Sequence, residues 1–198
     1  MIEIRNIAQN MPHELFIKYY DEALKAKQSS INAIAISSFN FEKSEVDSRF
    51  VNLKYIIKDK WIFFTNYESP KAQAFNKHKQ ISALLYWDSI NTQIRIKGKI
   101  RRTSSSFSDE HFAGRQLEKN ALAISSNQSR KIDSYEDVLK NFEFAKKNSD
   151  LNKRPTYWGG FEFIPYYFEF WQGKDYRLNS RDVFELNNGN WDHYNLQP

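Results

Sequence analysis

The sequence predicts an α+β fold built around an antiparallel barrel. Three observations carry that expectation. Strand-like runs come first and last along the chain, with helical periodicity inserted between them. Only six glycines occur, at 98, 114, 159, 160, 173 and 189, so neither the dinucleotide pattern G-x-G-x-x-G nor a P-loop can be written. Sixteen Phe, eleven Tyr and five Trp are many for 198 residues, and such rings favour strands and the stacking surfaces of interfaces and ligand sites. The length and the 40% hydrophobic content suit one domain over 1–198, with 1–30 an N-terminal extension and helix.

Residues 11–27 place Leu15, Phe16, Tyr19, Ala23 and Leu24 at spacings near 3.6, with an acid early and lysines late, which predicts an amphipathic helix covering one side of a sheet. The apolar run 32–39 and the β-branched and aromatic runs 50–57 and 61–65 predict three strands, the last two joined by a tight turn at Lys58-Asp59-Lys60. Ser69-Pro70-Lys71-Ala72 starts a short helix to about Lys77: Ser can cap free N–H groups, and Pro fits the first helical position. Strands follow at 80–87 and 92–102, the second alternating Gln93, Arg95, Lys97 and Lys99 against Ile94, Ile96, Gly98 and Ile100. Helical periodicity returns over 106–126, weakened at Gly114, and over 134–147. Strands at 160–172, 183–186 and 191–194 close the chain, the last two joined by Asn187-Asn188-Gly189-Asn190, which supplies the positive backbone angles a hairpin needs.

Zero cysteines exclude disulfides, thiol catalysis and Cys-based metal sites, and His13, His78, His111 and His193 show no metal-ligand spacing. No metal is expected. The first residues lack a basic region followed by an apolar core, and no 18-residue apolar run occurs, so a cytoplasmic protein without a membrane span is expected. The net charge of +5 is spread among acids and forms no dense tract, which argues against nucleic acid and fits a phosphorylated small ligand equally well.

Three places carry chemistry by residue type. Glu169-Phe170-Trp171-Gln172-Gly173, followed by Arg177-Leu178-Asn179-Ser180-Arg181, brings flat apolar surface and two arginines to one place, which suits a flat, anionic ligand. Ser69-Pro70-Lys71 sets backbone N–H groups and an ammonium at a helix start, which is an anion site by geometry and dipole or an ordinary capped surface helix. Gln93 and Gln128 carry amides that both donate and accept.

Together with Arg49-Phe50-Val51-Asn52-Leu53-Lys54, Phe64-Thr65-Asn66-Tyr67-Glu68-Ser69-Pro70-Lys71, Gln93-Ile94-Arg95-Ile96-Lys97-Gly98 and Asn127-Gln128-Ser129, these segments make the chain resemble the pyridoxine/pyridoxamine 5′-phosphate oxidase family, in the family's order and at its spacing. The resemblance implies a split β-barrel of the FMN-binding type with peripheral helices, and a homodimer with FMN at the interface. It carries FMN contacts onto Arg49, Phe50, Val51, Asn52, Leu53, Lys54, Phe64, Thr65, Pro70, Lys71, Gln93, Gln128, Ser129, Trp171 and Arg181. It carries binding of a phosphorylated substrate onto Lys54, His111, Arg115 and Lys119, the last three at i, i+4 and i+8 and so stacked on one helix face. Arg177 and Asn179 match the segment set over the substrate ring and are the expected catalytic positions.

Four departures stand out: Pro70 replaces the family's usual Arg, His111 its Tyr, Lys119 its Ser and Asn179 its His. The resemblance implies an FMN-dependent oxidase that forms pyridoxal 5′-phosphate and reduces O2 to H2O2. The departures keep two alternatives open: a related FMN oxidase acting on another ring, such as a phenazine-type dihydro-aromatic compound, or a non-catalytic protein that binds FMN or pyridoxal phosphate.

Overall fold

The computed structural model describes residues 1–198. Its ten strands are β1 (Glu3–Arg5), β2 (Ala33–Asn40), β3 (Glu45–Asn52), β4 (Tyr55–Ile57), β5 (Lys60–Asn66), β6 (Gln80–Trp87), β7 (Thr92–Arg102), β8 (Trp158–Gln172), β9 (Ser180–Asn187) and β10 (Asn190–Asn195). Its helices are α1 (Met11–Lys25), α2 (Pro70–Lys77), α3 (Ser105–Ala113), α4 (Leu117–Ser125) and α5 (Tyr135–Asn148). No helix is long and apolar enough to cross a membrane.

The strands form one curled sheet in the order β1-β4-β5-β8-β7-β6-β2-β3, antiparallel throughout except for the β1–β4 pair. The long strand β8 organises it. One edge of β8 pairs with β7 along almost its whole length. The other edge is shared: Trp158 to Phe163 pair with β5, and Tyr167 to Gln172 pair with β9, which carries β10 as a hairpin. Pro165, which has no N–H for a ladder, sits where the β7–β8 register shifts opposite Gly98. A Cβ on Gly98 would come within 2.9 Å of the Ile164 carbonyl oxygen, so the close approach of the two strands requires glycine there. The hairpin β9–β10 turns through Asn188 and Gly189, both at positive φ (50° and 86°), as its sequence predicts.

The core is one continuous aromatic cluster. Helix α1 covers it, as its periodicity predicts: Phe16 is fully buried and meets Trp61 edge-on at 4.5 Å, while Tyr19 lies 5.8 Å from Phe170. Burying one such ring contributes roughly 1.5–3 kcal/mol. The helix begins at Met11 with Pro12 in its first turn, and the Asn10 side chain accepts from the His13 N–H.

Two expected elements are each divided in two. The strand over 50–57 breaks at Leu53-Lys54, because the backbone changes partner there: the Leu53 N–H goes to Asn32 O and the Lys54 N–H to Ile62 O. Strand β3 therefore pairs with β2, and β4 with β5. The helix over 106–126 breaks between α3 and α4, where Gly114 ends one helix and Gln116, with extended ψ of 135°, starts the next. Consequently His111, Arg115 and Lys119 do not share one helix face; Arg115 lies in the link between two helices.

Candidate functional site

A cleft of about 930 Å³ opens between β3, β5, the start of α2, the α3–α4 link and the segment that contains Gln128 and Ser129. Among its lining side chains are five cations, Arg49, Lys54, Lys71, Arg115 and Lys119, against one carboxylate, Asp47. So many like charges on one concave surface repel one another; Arg49, Lys71 and Arg115 are each tied by hydrogen bonds, while Lys54 and Lys119 make no side-chain hydrogen bond within the chain.

At one end, the corner made by the strand break turns Lys54 into the cleft, and α3 and its link bring His111 and Arg115. The His111 ring lies flat on Phe64 at 3.6 Å and 12°, and the Tyr55 hydroxyl sits 2.8 Å from His111 Nδ1. Trp158 extends the stack, 5.4 Å from Phe64 and 14° from parallel. Over the Trp158 ring lies the Arg115 guanidinium, at 4.4 Å, which also donates to Asn120 Oδ1 (3.0 Å) and the Lys119 carbonyl (3.1 Å). Burial, with Lys119 and Arg115 nearby, pushes the Lys54 ammonium below its usual pKa. Burial, followed by Arg115 and Lys54, pushes His111 down to about 4, so its imidazole is neutral near pH 7.

At the other end, α2 starts at Pro70, and the Lys71 ammonium folds back under the first turn. Its Nζ donates to Gln128 Oε1 (3.2 Å), Thr65 Oγ1 (3.3 Å) and Ser69 Oγ (3.3 Å). Thr65 in turn donates to Gln128 Oε1 at 2.9 Å. Burial, and then Arg49, pushes Lys71 down to about 8. Ser69 does not cap the helix as its position predicts: its hydroxyl donates to Asn66 O at 2.7 Å instead. No side chain therefore caps the N-terminal turn of α2. Arg49 is steadied by Ser38 Oγ (2.7 Å) and the Asp47 carbonyl (3.0 Å), and burial lowers its pKa.

The expected site residues fall into two groups. Arg49, Phe50, Val51, Asn52, Lys54, Phe64, Thr65, Pro70, Lys71, His111, Arg115, Lys119, Gln128 and Ser129 line this cleft, whereas Leu53 is fully buried in the core. Gln93, Trp171, Arg177, Asn179 and Arg181 lie elsewhere in the same chain. Gln93, Trp171 and Arg181 stand in one row across β7, β8 and β9. Arg181 is fixed there by buried Glu169, with Nε and Nη2 at 2.9 and 2.8 Å, and Arg95 (2.7 Å) and Tyr167 (2.9 Å) share that carboxylate. Arg177 and Asn179 occupy the exposed loop after β8, where Tyr176 and Arg177 both adopt left-handed φ (55° and 60°) and Asn179 Oδ1 accepts from the Lys174 N–H.

Two side chains were not singled out by the sequence: Trp158, which lines the cleft, and Tyr55, which stands behind His111. Trp158 precedes Gly159-Gly160, whose missing Cβ atoms let Tyr67 and Thr103 approach; an aromatic beside a glycine pair at a strand start was the available signal. Tyr55 had none, because its role depends on the chain corner.

Residues 20–143 match the family model described as pyridoxamine 5′-phosphate oxidase, and residues 158–198 match the one described as the pyridoxine 5′-phosphate oxidase C-terminal dimerisation region. The chain is 35% identical over 196 residues to the pyridoxine/pyridoxamine 5′-phosphate oxidase of Legionella pneumophila strain Paris, covering 96% of this chain and 89% of the relative. Among solved structures, PhzG from Burkholderia lata, crystallised with tetrahydrophenazine-1-carboxylic acid, superposes with a TM-score of 0.89 at 25% identity over 94% of this chain and 92% of that one. A pyridoxamine 5′-phosphate oxidase-related, FMN-binding protein from Nostoc punctiforme superposes with a TM-score of 0.78 at 12% identity, covering 96% and 99%, and shares the fold. The α+β architecture is thus a split β-barrel with peripheral helices.

Proposed function

Because the chain belongs to the pyridoxine/pyridoxamine 5′-phosphate oxidase family, we propose that it is an FMN-dependent oxidase of a phosphorylated ring compound, with pyridoxine or pyridoxamine 5′-phosphate as substrate and pyridoxal 5′-phosphate as product. The observation that carries this reading is a single cleft with two separate cationic ends, Arg49 with Lys71 and Lys54 with Arg115. Two anions with flat apolar surface between them match a flavin mononucleotide beside a phosphorylated ring.

The donor set fits FMN. Lys71, Arg49, Ser129 and the N-terminal turn of α2 offer charge and N–H groups to its phosphate, and Gln128 offers an amide to its polar edge. When bound, FMN would supply two-electron redox chemistry between the substrate and oxygen, with hydrogen peroxide as the reduced product. The chain's own contribution is positioning. Lys54, Arg115 and Lys119 bind the substrate phosphate, with His111 beside them, and hold the ring against the aromatic wall.

Arg177 and Asn179 are then supplied by a second copy, together with the row Gln93, Trp171 and Arg181. A homodimer with two shared sites reconciles the separation of the two residue groups within one chain with their common assignment, and the match of 158–198 to a dimerisation region supports it.

A second reading is a related oxidase of a dihydro-aromatic carboxylate, supported by the likeness to PhzG and by His111, Lys119 and Asn179. Oxygen uptake and peroxide release by the FMN-loaded protein should be measured with pyridoxine 5′-phosphate, pyridoxamine 5′-phosphate and a dihydrophenazine carboxylate. Turnover of the first two supports the proposal. Turnover of the third alone replaces it with the second reading, and no turnover with flavin retained leaves a binding protein.

A further inference from the structure

We propose that Tyr55 is a positioning residue for anion recognition: its hydroxyl holds the His111 imidazole so that Nε2 presents its N–H to the phosphate group bound by Lys54 and Arg115. The inference rests on the reading of this end of the cleft as a phosphate site. It starts from one hydrogen bond, Tyr55 Oη to His111 Nδ1 at 2.8 Å. The ring faces Phe64 at 3.6 Å, which stops it from tilting, and Tyr55 meets it edge-on at 5.4 Å and 83°. Phe107 and the Arg5 guanidinium pack on Tyr55 at 5.5 and 5.4 Å and fix the phenol in turn.

His111 Nε2 makes no hydrogen bond within the chain, and His111 lines the same cleft as Lys54, Arg115 and Lys119. A neutral imidazole carries one proton. If that proton is on Nδ1 it points at Tyr55, and the Nε2 lone pair faces the incoming anion and repels it. If Tyr55 donates to Nδ1, the proton is on Nε2 and becomes a donor to the anion. The phenol carries its proton at neutral pH, as tyrosine ordinarily does, and burial shifts its pKa further upward. Tyr55 follows Lys54 directly in the chain, so the corner that delivers the ammonium also sets the tautomer of the histidine.

The test is a double-mutant cycle on the FMN-loaded protein, with pyridoxal 5′-phosphate as the probe and calorimetric affinity as the readout. Tyr55→Phe keeps the ring and removes only the hydroxyl; it should weaken binding roughly three- to tenfold, the range for one hydrogen bond. His111→Gln should also weaken it, and the double variant should bind no worse than His111→Gln alone, since Tyr55 acts through His111. Nitrogen-15 spectra of histidine-labelled protein with the ligand bound should show Nδ1 unprotonated and Nε2 protonated in the parent, and a tautomer mixture in Tyr55→Phe. Affinity unchanged by Tyr55→Phe, or additive losses in the double variant, overturns the role of Tyr55. Lys54→Ala and Arg115→Ala separate the two levels of the argument: if they weaken binding while Tyr55→Phe does not, only the positioning role fails, and if they too bind like the parent, the phosphate-site reading fails with it.

Discussion

Lys71 holds its charge at a cost, since burial and Arg49 bring its pKa to about 8. An anion that needs the ammonium charged binds at full strength below that value and must drive proton uptake above it. FMN affinity should therefore fall as pH rises past about 8, by up to about tenfold per pH unit. Lys71→Met should bind more weakly but lose this slope, and titrations of the apoprotein by flavin fluorescence between about pH 7 and 9 test it; equal slopes in both proteins remove Lys71 from the phosphate site. Asn179 stands at the other assigned position. Its side chain ties only its own loop, to the Lys174 N–H. Asn179→His should raise pyridoxine 5′-phosphate oxidation about tenfold, equivalent to roughly 1.4 kcal/mol of transition-state stabilisation, at matched FMN occupancy. A lower rate, combined with fast oxidation of a dihydro-aromatic compound by the parent, would make Asn179 an adaptation to that other substrate. Most cleft residues were legible in the sequence because the resemblance to the family carries them over position by position. Sequence could not disclose that Lys71 folds back under its own helix or that Ser69 serves Asn66 rather than the α2 cap, because each depends on which neighbour is nearest after folding.

Helix α1 depends on an unusual residue for a core. His13 is 1% exposed, lies among Trp61, Phe168 and Trp191, and leaves Nε2 without a partner. Burial lowers its pKa to about 4 from 6.5. The unfolded chain takes up the proton first as pH falls, so the contribution of neutral His13 is complete above about 6.5 and is lost progressively down to about 4, amounting to about 3 kcal/mol. Urea unfolding at about pH 7 and about pH 4.5 should show a smaller acid loss for His13→Phe than for the parent; His111 is shifted similarly in both proteins and cancels in the difference. At this scale the sequence performed unevenly, for physical reasons. Helix α2 and the Asn188-Gly189 turn were legible because Pro at a helix start and Gly at positive φ are local requirements. The corner at Leu53-Lys54 and the short parallel strand β1 were not. Both arise from pairing with segments distant in sequence, and a run of strand-forming residues does not announce where it changes partner.

The whole chain leaves apolar side chains on its surface that a monomer does not cover. Phe50 and Val46, 73% and 67% exposed, lie on β3 at the end of the sheet, and Leu178 is 68% exposed in the loop after β8. Light scattering should give twice the chain mass of 23.6 kDa. Phe50→Glu should shift the protein toward monomer and weaken FMN retention together, since the proposed site needs both copies. A monomer that holds FMN at full occupancy would sink the shared-site arrangement.

The sharing of β8 among three strands also governs how the molecule is made. Strand β8 starts at residue 158 of 198, and both β5 and β7 reserve an edge for it. During synthesis, then, the earlier strands leave the ribosome as two sets, β1-β4-β5 and β3-β2-β6-β7, each with an edge that waits for β8: the edge of β5 is aromatic, and that of β7 alternates isoleucine with lysine and arginine. Those edges are open to other nascent chains until β8 itself emerges and seals both. Closure of the barrel joins segments far apart in sequence, so truncation before Trp158 should leave a fragment that pellets on ultracentrifugation rather than a smaller working protein.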